Sequence, residues 1–301
     1  MENLKITRRK MLFQSAGALA GLSLLNGCKQ NSLSKWHPSY TATGKGFKIG
    51  SCDWSLGHRA DPASLVKARQ FGLDGVQVDF GMAQNDTLPM FDPELQKNHL
   101  ETARQQNVEI ASLAMGVLNN VPYKSEAVAE TWVARGIEVA RTMNVKVILL
   151  AFFGKGDLCD DPQGMDRVVQ RLKKVTSQAE DTGIILGIES WLNAEQHLEI
   201  IDRVNSPALQ VYYDVGNSLL RKYDIYAEIR QLGPRICEFH AKDYDHLFGQ
   251  GSVNFPQVRR AMDEIGYRGW IQLEPVKYPK GREETFRLNA QYLRKIFPAE
   301  V

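Results

Sequence analysis

Four ionisable residues, Glu189, Asp214, His240 and Glu274, each lie at or near the end of an apolar, strand-like run: "IILGIES", "LQVYYD", "RICEFHAKD" and "WIQLEP". Three carboxylates and an imidazole following runs of this kind would be costly to bury together without a counter-charge. A divalent cation supplies one. The set, three oxygens and one nitrogen, suits Mn²⁺, Mg²⁺, Zn²⁺ or Co²⁺ and does not choose among them; Mn²⁺ is our first expectation. Taken singly, a strand-end Asp or Glu is more often a helix cap or loop ion pair, and a lone His more often a satisfied polar group. It is their succession on consecutive strands that points to a metal site.

That succession requires elements that bring the four ends to one rim. From residue 46 onward the chain alternates β-branched runs with amphipathic stretches. The strand candidates are "FKIGSCD", "GVQVDF", "VEIASLAM", "VKVILLAFF" and the four named above. The helical stretches are 62–71, 92–106, 124–143, 161–182, 194–204, 223–232, 254–265 and 282–297. Asp61, Asp92 and Asp161 each precede a proline and read as N-caps, with the proline at the first helical position. Gly72, Gly183 and Gly266 follow the last apolar turns, as left-handed C-caps would. Eight β-α units in one domain, residues 46–301, predict a (β/α)8 TIM barrel, an α/β fold whose active site forms at the C-terminal strand ends. The alternative is a doubly wound open sheet, but "GSCDWSLG" after the first strand is not the glycine-rich dinucleotide fingerprint.

The first 28 residues read differently. Arg8 and Arg9 follow Thr7 and precede an apolar run from Met11 to Leu25, too short and too rich in Gly and Ala for a comfortable membrane span. Leu25-Asn26-Gly27-Cys28 resembles a bacterial lipobox, which makes Cys28 the expected lipidation site, and the paired arginines resemble a Tat-type signal. An amphipathic first helix is the plainer alternative. Residues 29–45 are polar, with Pro and Gly, and read as a tether. The expectation is an exported protein, a periplasmic or cell-surface lipoprotein that touches the membrane through its N-terminal lipid alone. A formal charge of +2, with basic and acidic residues interleaved, gives no basis for nucleic-acid binding. Cys52, Cys159 and Cys237 form no CxxC pair and read as free thiols.

At "GIES", "YYDVGN", "EFHAKD", "LFGQGSVNF" and "IQLEP" the sequence resembles the xylose-isomerase-like TIM barrels, over roughly residues 46–297. The resemblance implies one divalent ion held by Glu189, Asp214, His240 and Glu274. It also implies that Glu189 and Glu274 are catalytic, acting as acid and base on opposite faces of a sugar through a metal-stabilised enediolate. The endonuclease branch of that superfamily carries further metal-binding histidines on early strands; here "QVDFG", "SLAMG" and "AFFG" supply none. Two positions depart from the epimerase pattern: Asn217 stands where a histidine is usual and His246 where an arginine is usual, both expected to touch substrate. Trp54, His58, Phe153 and Trp191 are further candidates for sugar contact. Lys242 is expected to orient ligands or substrate, or else to pair with Asp243. The expected function is a metal-dependent sugar isomerase or epimerase. Two alternatives remain: a lyase that β-eliminates from a 3-keto-glycoside using the same metal site, and a non-catalytic, lipid-anchored sugar-binding protein.

Overall fold

Aliphatic runs that are buried on both faces become parallel strands, because such a strand meets side chains above and below it. In the computed structural model, which describes residues 46–299, eight of them pair in chain order and close into a barrel. They are β1 (Lys48–Cys52), β2 (Gly75–Asp79), β3 (Glu109–Met115), β4 (Val147–Phe152), β5 (Ile185–Ser190), β6 (Leu209–Asp214), β7 (Ile236–Ala241) and β8 (Trp270–Leu273). β8 pairs with β1, Ile49 opposite Ile271, and this closing ladder decides for the barrel over the open sheet. The N-terminal signal, the tether and Cys28 lie outside the described residues.

Ten α-helices are described: α1 (Asp53–Leu56), α2 (Ala63–Gln70), α3 (Pro93–Gln106), α4 (Ala127–Met143), α5 (Pro162–Thr182), α6 (Ala194–Val204), α7 (Val215–Leu220), α8 (Ile225–Leu232), α9 (Phe255–Glu264) and α10 (Arg282–Ile296). Eight fall within the amphipathic stretches. The other two, α1 and α7, span four and six residues, too few to show a 3.6-residue period. Asp92 and Asp161 cap α3 and α5 through the backbone N–H groups of Glu94 and Gly164. Asp61 accepts the N–H of Ala63 at 2.9 Å, but Pro62 rather than Asp61 is the residue flanking α2. Gly183 is the left-handed C-cap of α5, whereas Gly72 and Gly266 stand one residue beyond Phe71 and Ile265.

Strand alternation divides the core. On β4, Ile148, Leu150 and Phe152 join the large core beneath the helices, while Val147, Leu149 and Ala151 pack with Ile185 and Tyr212 in a separate, smaller cluster. Polar residues buried in the strands, Gln77, Ser112, Glu238 and Gln272, are joined by side-chain hydrogen bonds. Their arrangement bears directly on the site.

Candidate active site

The ligand-type side chains converge. One ligand atom from each of Glu189, Asp214, His240 and Glu274 lies within 4.8 Å of the others. Glu189 and His240 are the penultimate residues of β5 and β7, Asp214 ends β6, and Glu274 follows β8. Parallel strands in register bring these ends to one rim: Asp214 pairs with His240 across β6 and β7.

Local structure fixes which atoms face inward. Asp214 caps α7, its Oδ1 accepting the N–H groups of Gly216 and Asn217 at 2.8 and 2.9 Å, which leaves Oδ2 for the cluster. His240 Nε2–H donates to Gln77 Oε1 at 2.8 Å. Gln77 Nε2 donates in turn to Ser112 Oγ at 3.2 Å, and Ser112 to Glu238 Oε2 at 2.9 Å. Tyr212 also donates to Glu238, at 2.8 Å. With Ser112 and Tyr212 both donating to Glu238, the chain runs toward that carboxyl group and places a proton on His240 Nε2. Nδ1 then points at the carboxylates, 2.9 Å from Glu189 Oε1 and 3.4 Å from Glu274 Oε2.

Lys242 reaches into the same cluster. Its Nζ lies 2.9 Å from Asp214 Oδ2, 2.7 Å from Glu274 Oε2 and 3.2 Å from Asn217 Oδ1. Of the two expectations for Lys242, the pair with Asp243 does not form. Asp243 instead accepts backbone N–H groups of Ser252 and Val253, fixing the loop after β7. Tyr244 donates to Asn217 Oδ1 at 2.7 Å from a left-handed backbone (φ 41°), uncommon for an aromatic residue.

Charges so close displace one another's protonation. Burial lifts the Asp214 carboxyl to about 7, with the charges of Glu274 and Glu189 adding to it and Lys242 opposing. Burial disfavours charge on His240, but the surrounding carboxylates, Glu189 foremost, outweigh it and raise the imidazole to about 9. Burial likewise works against Glu274, yet Lys242 and His240 bring it down to about 2. Asp214 Oδ2 and Glu274 Oε2 are buried and accept no well-directed hydrogen bond despite the nearby ammonium. Three carboxylates, Asp214 Oδ2 and Glu274 Oε2 among their oxygens, and an imidazole whose Nδ1 proton an ion would displace fit a divalent cation.

A cavity of about 470 Å³ opens over the cluster. Glu189 and Glu274 line it; Asp214 and His240 do not. Of the residues expected to touch substrate, Trp54, Phe153, Trp191, Asn217 and Lys242 are in its wall. Trp54 Nε1 donates to Glu274 Oε1 at 3.1 Å, and Phe153 meets Trp191 edge to face at 5.0 Å. His58 and His246 are not brought there: His58 Nδ1 is 3.2 Å from Asp61 Oδ2, and His246 is exposed in the loop after β7. The sequence reading missed Tyr244, Arg59 and Asp79 in the wall and Gln77 behind His240. Arg59 and Tyr244 stand in loops without a strand-end signal, and Gln77 lies inside an otherwise apolar strand.

The family model described as xylose isomerase-like TIM barrel matches residues 65–296. The chain belongs to this family. It is similar to the 2-epi-5-epi-valiolone 7-phosphate 2-epimerase of Actinoplanes sp., at 26% identity over 65% of this chain and 72% of the relative. It is also similar to a putative L-ribulose-5-phosphate 3-epimerase of Escherichia coli, at 25% identity over 71% and 82%. Among solved structures, a D-psicose 3-epimerase crystallised with D-fructose superposes with a TM-score of 0.70, at 16% identity, over 83% of this chain and 99% of that one. The 3-keto-D-glucoside 4-epimerase of E. coli superposes at 0.69, with 12% identity, over 83% and 99%. At these identities the superpositions establish the fold.

Proposed function

We propose that the protein is a divalent-metal-dependent sugar isomerase or epimerase. One observation carries the reading: of the four clustered residues, the two that face the cavity are the glutamates. Asp214 and His240 stand behind them, fixed by a helix cap and a hydrogen-bonded chain, as holding groups should be. Glu189, Asp214, His240 and Glu274 would hold the ion, Mn²⁺ first among the choices, which when bound would act as a Lewis acid toward the negative charge of an enediolate. Glu189 and Glu274 come from strands three apart, so each can reach a different side of one substrate carbon. One carboxylate removes the proton beside a carbonyl and the other returns it. Trp54 holds Glu274, and Asn217 lies 3.5 Å from Glu189 through Nδ2, orienting each base. The sugar epimerases among the relatives support this class of chemistry.

A second reading, β-elimination from a 3-keto-glycoside, uses the same proton abstraction and then expels the aglycone. The cavity favours keeping it, because about 470 Å³ lies within the roughly 300–1,000 Å³ of pockets that enclose drug-sized ligands and exceeds what one hexose fills. Incubation of the Mn²⁺-loaded protein with keto-sugars and 3-keto-glycosides in D₂O separates the cases. An isomeric sugar carrying one deuterium supports epimerisation or isomerisation, and a released aglycone supports elimination. Wild-type protein that binds sugar yet exchanges no proton with any of them overturns both and leaves the sugar-binding reading. We also propose, from the sequence, that residues 1–28 direct export and lipidation at Cys28; Cys28→Ser should then move the protein from the membrane fraction to the soluble one.

A further inference from the structure

On the arc of β1–β3, Arg59 and Asp79 line the cavity and Asp53 stands behind them, three residues that the proton-transfer chemistry does not use. Arg59 lines the cavity, with Nη1 3.1 Å from Asp79 Oδ2 and the guanidinium 5.5 Å from the centre of the Trp54 ring. Asp79, at the end of β2, is fully buried, and its Oδ1 is taken by the N–H of Gly81 at 2.7 Å. Asp53, also fully buried, accepts the N–H groups of Ala60 and Asp79 through Oδ2, both at 2.8 Å. It thereby ties the loop that carries Arg59 to the end of β2, with Ala60 held in a left-handed turn (φ 52°). The space behind is equally committed. A Cβ on Gly116 would sit 2.6 Å from Asp79 Oδ2 and 3.2 Å from Arg59 Nη1.

Two buried carboxylates, a strained turn and a close glycine are a costly way to place one arginine. That arginine keeps further N–H donors and a side chain 38% exposed toward the cavity. Resting on the epimerase reading above, we infer that Arg59 is a specificity-determining residue that donates to oxygens of an uncharged sugar at the end remote from the reacting carbon. The charge pattern selects against phosphate esters. Asp79 already balances Arg59, and Lys242, the other cation in the described lining, is engaged by Asp214 and Glu274. Nearby Lys277 pairs with Asp245 at 3.1 Å and is not in the lining. A phosphate would therefore meet no uncommitted positive charge, whereas hydroxyl and ring oxygens need only the donors.

The test is a titration and kinetic comparison of the Mn²⁺-loaded full chain with D-psicose, D-tagatose, D-fructose and methyl 3-keto-β-D-glucopyranoside, beside D-fructose 6-phosphate. The inference expects uncharged members to bind more tightly than the phosphate. Arg59→Met should raise KM at least tenfold with kcat within about threefold, and Arg59→Lys should not restore it, because an ammonium cannot reproduce the guanidinium fork. Asp79→Asn should have the same signature, and Mn²⁺ affinity should be unchanged in all three variants. Binding of an uncharged sugar unaffected by Arg59→Met and Asp79→Asn, or tighter binding of the phosphate, overturns the inference and leaves the epimerase reading standing. No binding by any of the five overturns both.

Discussion

His240 shows how much of a metal site is decided by residues that never touch the ion. Its Nδ1 can serve as a donor only while Nε2 keeps its proton, and the chain through Gln77 and Ser112 to Glu238 maintains that. Gln77→Leu leaves the four ligands in place but removes the acceptor for Nε2–H. Partners of this kind contribute about 10–100-fold to metal affinity, and Mn²⁺ titration should show a loss of that size. A result within twofold of wild type would mean that the tautomer is held elsewhere. The glutamates invite a different substitution. Glu189→Gln keeps shape and one oxygen donor, so it should retain Mn²⁺ within about tenfold while kcat falls roughly 10²–10⁴-fold, the usual worth of a positioned acid or base. Equal loss of ion and activity would demote Glu189 to a ligand alone. Glu189, Asp214, His240 and Glu274 were legible in the sequence because each interrupts an apolar run at its end. Gln77 was not, since one carboxamide inside a strand looks the same whether it serves the site or the barrel interior. Arg59 and Tyr244 were hidden for another reason: loops assign no direction to a side chain until the fold does.

At the scale of elements, the site depends on short segments more than on long ones. The eight strands and eight longer helices were readable from periodicity and caps, whereas α7 was not, and α7 positions Asp214 and Asn217. Gly216 lets this helix lie against β7's continuation: an added Cβ would stand 2.6 Å from the Lys242 carbonyl oxygen and 2.7 Å from its Cβ. Gly216→Ala should therefore push α7 away, costing about 1–3 kcal/mol of stability by overpacking and at least tenfold in Mn²⁺ affinity, read by urea unfolding and ion titration. Unchanged affinity would show that Asp214 does not depend on its helix. A second element, α6, carries a pH-sensitive anchor. His197 is fully enclosed; Nδ1–H donates to the Asn193 carbonyl at 3.0 Å and Nε2 accepts from Ser190 Oγ–H at 2.9 Å. Burial lowers this imidazole to about 4. The unfolded chain binds the proton first, near pH 6.5, so the stability from His197 is intact above that pH and declines as pH falls toward 4. At about 1.4 kcal/mol per unit, roughly 3 kcal/mol is at stake. Unfolding free energies between pH 4.5 and 7 should fall with acid in the wild type and less steeply in His197→Gln; parallel profiles would remove His197 from the account.

The barrel as a whole was the most legible feature, because alternating strand and helix patterns repeated eight times leave few other ways to bury the apolar runs. The rim concentrates charge that the fold itself does not need, and the sequence did not convey that Lys242 would be drawn in among the carboxylates. Among the described residues, Glu189, Asp214, His240, Lys242 and Glu274 pair with one another, and such clusters generally weaken a fold compared with apolar packing. An ion that binds the folded chain and not the unfolded one returns that stability by mass action. At a hundredfold excess over its dissociation constant the gain is about 2.7 kcal/mol, which for a chain of this size shifts the melting temperature by roughly 4–5 °C. Chelator-treated protein should gain that shift on adding Mn²⁺, with the rise continuing logarithmically as concentration increases. His240→Ala should melt at a temperature independent of Mn²⁺. If the wild type shows no shift, or the variant shows the same one, the ion is not held by these four side chains and the cluster owes its order to Lys242 alone.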